Sequence, residues 1–280
     1  MTWRVLRWAV VTMLVAWSVG PVALALLTSL STQADVVSAH FVPSRLNLDG
    51  YRTLLTHSGS AAGGIESEAS DFGRALLNSA LETLETTIVL LLIAVTAGYA
   101  FSRLRFRGRG VVLGALLITL VIPAFALIVP LFRLMANLNL IDTQPGLVLI
   151  YVTGGAPLAV WLFANYCREL PSEPEEAALL DGCSRLGALF KVVLPQMRSG
   201  IAALTAIIAL STWGSFLVPL LFAPTLATKP ATVLITELVG KYTTNYPLIA
   251  AAGILIVIPP AIVAVALNRH IRGMLGGYFG

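Results

Sequence analysis

The chain has 280 residues, 57% of them hydrophobic and 11% charged, with a formal net charge of +4. A water-soluble protein carries about 25% charged residues, so a soluble fold is excluded and most of this chain must be solvated by lipid. Nor does the positive charge indicate nucleic acid, because the basic residues are scattered through short loops instead of gathered on one face.

Stretches free of Asp, Glu, Lys and Arg follow one another along the sequence: Trp8–Ala34, Thr86–Ser102, Gly110–Phe132, Thr143–Cys167, Ser199–Thr228 and Tyr242–Asn268. A bilayer core of about 30 Å needs about 20 apolar residues in a helix, and unbroken apolar runs argue for helices where barrel strands would alternate. The predicted spans are 8–30, 75–101, 110–134, 144–166, 199–223 and 246–268. The first begins after Arg4 and Arg7 but is too long for the hydrophobic region of a signal peptide, about 7–15 residues. An outer segment, 31–73, follows it. This segment holds an extended piece over Phe41–Asp49, a short helix around Gly50–Leu55, and a flexible Gly/Ala/Ser-rich loop over Ser58–Ser70. The second run is short, so its helix is expected to reach back through Ala75–Leu84. Prolines at 21, 123, 130, 157, 219, 259 and 260 are expected to kink their helices.

Basic residues collect in every second connection: Arg4 and Arg7; Arg103, Arg105, Arg107 and Arg109; Arg168, Arg185, Lys191 and Arg198; Arg269 and Arg272. The positive-inside rule then puts both termini and the 168–198 loop in the cytoplasm. The expected fold is an all-α membrane protein, one transmembrane domain over 1–280, with six transmembrane helices and a cytoplasmic helix between spans 4 and 5. Cys167 and Cys183 have no histidine nearby, so no metal site is expected. No phosphate-binding loop appears, since Gly240-Lys241-Tyr242 lacks both the upstream glycine and the hydroxyl. No catalytic residues are assigned.

The 168–198 loop is patterned. Ser172-Glu173-Pro174-Glu175 reads as a capping box, Gly182 as a left-handed stop, and Ser184 as the cap of a second helix running through Val193 to Leu194-Pro195. Such a short acidic helix either docks into a partner's groove or is a solvated inter-span loop. In the spans, Glu82 and Glu85 share a helical face and either line a watery path or project outward into solvent. Trp213 and Phe216 share a face of span five, where they would stack on a sugar ring or pack against lipid and core.

Glu176-Ala-Ala-Leu-Leu-Asp-Gly182, followed by Phe190 and Leu194-Pro195, resembles the EAA motif of permease subunits from binding-protein-dependent ABC importers. Leu48-Asp-Gly-Tyr51, Asn78-Ser79, Tyr99-Ala-Phe-Ser-Arg-Leu-Arg-Phe-Arg-Gly108, Asp142-Thr143 and Pro145-Gly146 are similar to the sugar-permease branch, in particular to the smaller, maltose-type partner of a heterodimer. The resemblance implies a permease in the bacterial plasma (inner) membrane that moves a carbohydrate or polyol by alternating access. An ion-coupled secondary transporter and a permease for a non-sugar solute are the alternatives. It implies as partners a second permease subunit, two ABC ATPase subunits and an extracytoplasmic solute-binding protein, with no nucleic acid. This chain itself would hold no cofactor, and ATP and Mg would bind the ATPase subunits. The residues implied in docking are Glu175, Glu176, Ala177, Ala178, Leu180, Asp181, Gly182, Leu194 and Pro195. Glu176 and Asp181 would anchor charged contacts, the alanines would allow close approach, and Gly182 would permit the turn. The chain departs from the branch at Ser199, at Trp213-Gly-Ser-Phe216, and in its Leu275–Gly280 tail.

Overall fold

The computed structural model describes residues 2–40, 42–56, 71–239 and 244–276. The loop expected at 58–70 and the end of the tail lie outside them. Among the described residues every regular element is helical, as expected, with one isolated bridge between Val239 and Thr244. Four helices among the described residues are long and apolar enough to cross a membrane: Trp3–Ser29, Phe72–Arg103, Gln144–Glu169 and Tyr246–Leu267. Two bent helix pairs raise the number to six if each is one span. The chain divides into two compact units, residues 1–78 with 229–259 and residues 79–228 with 260–280.

In the first unit, α1 (Thr2–Ser29) runs unbroken through Pro21. Its apolar side chains, Trp3, Trp8 and Trp17 among them, are exposed on every side, as suits a helix that meets lipid. A helix not anticipated from sequence follows, α2 (Gln33–Val37). Thr32 Oγ1 accepts the Asp35 amide at 3.2 Å and Asp35 Oδ2 accepts the Thr32 amide at 3.1 Å, closing a reciprocal cap. The expected short helix forms as α3 (Asp49–Leu55). The Leu48–Tyr51 motif joins elements here: the Tyr51 and Ser29 hydroxyls are 2.7 Å apart, and a Cβ on Gly50 would lie 3.4 Å from Ala251 of the last helix.

Hydrogen bonds from Ser44 and then Thr32 hold the Asp35 carboxyl at about 2, down from an ordinary 3.8. A depressed acid contributes stability above its unfolded value and loses it as pH falls through its folded one. The melting-temperature gap between the native chain and Asp35→Asn is therefore expected to be full above pH 4 and to close as pH falls toward 2, measured in detergent across that range.

The helix α4 (Phe72–Arg103) extends as far back as expected, and from Ser79 onward it belongs to the second unit. Its Leu90, Ala94 and Tyr99 pack with Phe163 and Cys167 of α7 (Gln144–Glu169), with Leu204 and Ile208 of α11 (Arg198–Trp213), and with Leu189, Val193 and Met197. The helices approach closely at Gly98, where a Cβ would stand 2.8 Å from Phe163 Cδ1 and 3.0 Å from the Val160 carbonyl oxygen.

Two of the expected spans are broken. The helix expected over 110–134 is α5 (Arg109–Ile118), a 3-10 turn over Thr119–Val121, and then α6 (Ala124–Asn137), bent by 102°. Ile122 has ψ 121° because the ring of Pro123 disfavours helical backbone in the residue before it. The helix expected over 199–223 ends at Trp213, and α12 (Leu217–Phe222) starts after a break at 214–216. Pro219 has no N–H to give residue 215, so a helix continuous across the break would lose that bond. The other prolines named above lie inside unbroken helices. Asp142, with φ +57°, fastens the loop between α6 and α7 by accepting hydrogen bonds from the Thr225 hydroxyl and, at 2.6 Å, from Thr228.

Candidate functional site

The patterned loop folds as α8 (Glu173–Leu180), eight residues with Glu173, Glu175 and Glu176 in the first turn. Acidic groups there favour the helix dipole, yet a helix this short does not persist unaided. The expected capping box is absent. Ser172 has helical backbone angles and its side chain caps nothing. Glu175 is the reason: instead of reaching back to Ser172 it turns inward and is only 4% exposed. The Tyr99 hydroxyl donates to its Oε1 at 2.6 Å, and Arg103 Nε lies 3.0 Å from its Oε2. That Nε–H is not aligned on the oxygen, so the second contact is coulombic.

At its far end α8 closes as the sequence suggests. Gly182 has φ +86°, and the Cys183 and Gly182 amides donate to Ala178 and Leu179 carbonyls at 3.0 and 3.1 Å, the two bonds of a Schellman turn. Ser184 Oγ accepts from the Gly187 amide at 3.1 Å and opens α9 (Arg185–Ala188). The helix expected to stop at Leu194-Pro195 continues instead, through a π turn over Leu189–Val193 and α10 (Leu194–Gln196). Pro195 sits in the first turn of α10, where a missing donor costs least. The direction then changes by 84° on entering α11.

One face of this element is bare. Glu176, Ala177, Leu180 (89% exposed), Asp181 and Gly182 are exposed, together with Leu186 and Phe190 (57%). Ala178 is half-buried, Leu194 packs against the core, and Pro195 is exposed. The result is an apolar patch rimmed by acids on an otherwise well-packed loop. Beneath it, Arg103 Nη2 donates to the Leu170 carbonyl at 3.0 Å, and Arg168 Nη2 donates to the Phe101 carbonyl at 3.3 Å. Each arginine satisfies a carbonyl that the other helix leaves open at its C-terminal end.

Within the same unit a cavity of about 980 Å³ opens among α5–α6, α7, α11 and α12. Its wall is mostly aliphatic, with polar points at Thr119, Tyr151, Ser211, Thr212 and Ser215. The expected pairing of Glu82 with Glu85 does not occur. Glu82 is 2% exposed, whereas Glu85 faces outward, because three helical residues leave a 60° offset that straddles the edge of the packed face. Glu82 Oε2 finds no hydrogen-bond donor in the described chain; the Tyr151 hydroxyl stands beside the carboxyl, and Ser215 beside that hydroxyl. Trp213 is buried and Phe216 exposed. The two do not share a helical face, since α11 ends between them.

Residues 90–273 match the family described as binding-protein-dependent transport system inner membrane component. The chain belongs to this family. It is 31% identical over 278 residues, 98% of this chain and 97% of the other, to the trehalose transport system permease protein SugB of Mycobacterium tuberculosis. It is 33% identical over 205 residues, 72% and 71% of the two chains, to the sulfoquinovosyl glycerol transport system permease protein SmoH of Agrobacterium fabrum. The fold matches a crystal structure of a bacterial ABC transporter that imports the acidic polysaccharide alginate, with a TM-score of 0.81 over 96% of each chain at 20% identity.

This permease is thus a membrane subunit of an ABC importer. Reasoning from sequence passed over several residues that its geometry brings forward. Arg103 stands in the sequence as a topological charge and, with Tyr99, as part of a motif, with no contact assigned to either. Their spacing of four puts both on one face of α4, the signal that could have paired them with a nearby carboxylate. Tyr151 gave no sign, because nothing local shows that Glu82 lies against it.

Proposed function

We propose that this permease carries a carbohydrate or related polyol across the bacterial plasma membrane, with ATP and Mg held on separate ATPase subunits. The exposed 176–182 face carries the reading: an acid-rimmed apolar knob, built on the motif residues, is what a cleft in a soluble partner could hold. In this reading the four long helices, the bent pair over 109–137 and the segment of α11 and α12 are the six spans, and both termini and the 168–198 loop are cytoplasmic. A second permease subunit completes the translocation path and a binding protein delivers the solute outside. Relatives named for trehalose and sulfoquinovosyl glycerol support the solute class.

The test is ATP-driven uptake of labelled disaccharides by vesicles holding the chain with its partner permease, ATPase subunits and binding protein. Uptake by the chain without ATPase subunits, collapsing with an ion gradient, would overturn the reading. Orientation is checked through the half-buried free thiol Cys183, since Cys167 is buried. A membrane-impermeant maleimide is expected to leave Cys183 untouched in intact cells and to label it in inverted vesicles.

Tyr151 and Ser215 are polar points of the cavity wall where a passing hydroxyl would bind, and the buried Glu82 carboxyl beside the Tyr151 hydroxyl would orient that group. Glu82→Gln is expected to lower initial uptake about tenfold, the loss of one charge-assisted hydrogen bond. Outward-facing Glu85→Gln is expected to leave uptake within about twofold. Equal effects of the two, read from initial rates, would remove Glu82 from the path.

A further inference from the structure

We propose that Glu175 is a positioning residue, a clamp that carries movement of α8 directly into the last turn of α4. The inference rests on the docking role given to the loop but concerns residues beneath the docking face. Tyr99 and Arg103, one helical turn apart on α4, close on the two oxygens of one carboxylate at 2.6 and 3.0 Å. The ion pair is nearly enclosed, with side chains 14% and 5% exposed. Arg103 also donates to the Leu170 carbonyl on the near side of α8, so a single turn of α4 holds both the helix and the strand of chain leading into it. Tyr99 in turn is seated in the core with Phe163, Leu189 and Val193.

Apart from its packing on the Leu189–Val193 turn, α8 is tied to α4 through Glu175. Eight residues form too short a lever to stay folded alone, and its other acidic side chains face solvent. Parting Glu175 from Arg103 would strand a charge away from water, which is strongly unfavourable, so a push or pull on α8 displaces α4 before it breaks the contact. Glu176 faces out and Glu175 faces in, and the division of labour follows: one neighbour meets the partner and the other delivers its motion.

Two measurements test the clamp. In the chain alone, amide exchange across 173–183 is expected to rise at least about tenfold in Glu175→Gln, with the rest of the chain unchanged. In the assembled transporter, with Cys167 and Cys183 replaced by Ala, a thiol probe at Ser211→Cys reads the cavity. Its ATP-dependent change in labelling rate is expected to disappear in Glu175→Gln and in Arg103→Gln while the ATPase subunits still co-purify. The reversed pair, Glu175→Arg with Arg103→Glu, is expected to restore it. Unchanged exchange in Glu175→Gln, an unchanged ATP response, or loss of co-purification in step with the response would each overturn the clamp. Failure of the docking reading is separately visible, as a native chain that retains no ATPase subunits.

Discussion

Gly182→Pro is expected to abolish retention of the ATPase subunits while leaving the chain inserted in the membrane. Gly182 has φ +86°, and proline is locked near −65°, so the turn cannot be preserved. Proline would also remove the amide that donates to the Leu179 carbonyl at 3.1 Å. The 6→1 bond from Cys183 to Ala178 depends on the same left-handed residue, so both orphan carbonyls at the end of α8 lose their partners. Asp181 and the residues after it would leave in a new direction, and the exposed face would lose its shape. Gly182→Ala is the informative control. A Cβ there meets nothing within 4 Å, so alanine suffers only the left-handed strain, about 1–2 kcal/mol. Co-purification from membranes should therefore fall at least about a hundredfold for proline and no more than about five- to thirtyfold for alanine. Full retention by the proline variant would remove the 176–182 face as the docking surface.

Gly98→Val is expected to cause a large loss of folded protein. The ideal Cβ alone falls 2.8 Å from Phe163 Cδ1, 3.0 Å from its Cβ and 3.0 Å from the Val160 carbonyl oxygen. Phe163 is fully enclosed and cannot swing away, and the carbonyl belongs to the backbone of α7. Overpacking of this kind typically costs about 1–3 kcal/mol, and valine adds two further methyl groups beyond the clash. Close helix approach at small residues is how membrane helices pack when no hydrophobic force drives them together, so the loss falls on the α4–α7 contact itself. The expected readouts are a sharp drop in folded yield by size-exclusion of detergent extracts and a shortened half-life on heating. Phe163→Leu in the valine background should recover part of it, and only part, because the Val160 oxygen remains.

Much of the architecture could be read along the chain because charge is so sparse. Each uncharged run found a helix, and the motif at 176–195 fell on an exposed helical element. What escaped depended on neighbours distant in sequence. Prolines at seven positions looked alike, yet only Pro123 and Pro219 coincide with breaks; whether a freed carbonyl finds another partner is not written beside the proline. Glu175 and Glu176 are adjacent and chemically identical, and only the arrival of Tyr99 and Arg103 from another helix sends one inward. The same competition undid the capping box, since a side chain committed to a buried cation cannot also reach back to Ser172. Glu82 and Glu85 looked paired from a helical wheel, but a wheel has no edge, and the packed face of α4 does. Trp213 and Phe216 were separated for a simpler reason: the helix assumed to join them stops.

The crossed guanidinium contacts between α4 and α7 have a consequence for engineering. Lysine at both Arg103 and Arg168 would keep the tally of basic residues on that side of the bilayer, and insertion would proceed as before. An ammonium, however, is a point donor without the planar fork that lets Arg103 touch Glu175 and Leu170 together. Such a chain would be threaded correctly and stitched loosely, with a seam open where sequence statistics would report no change.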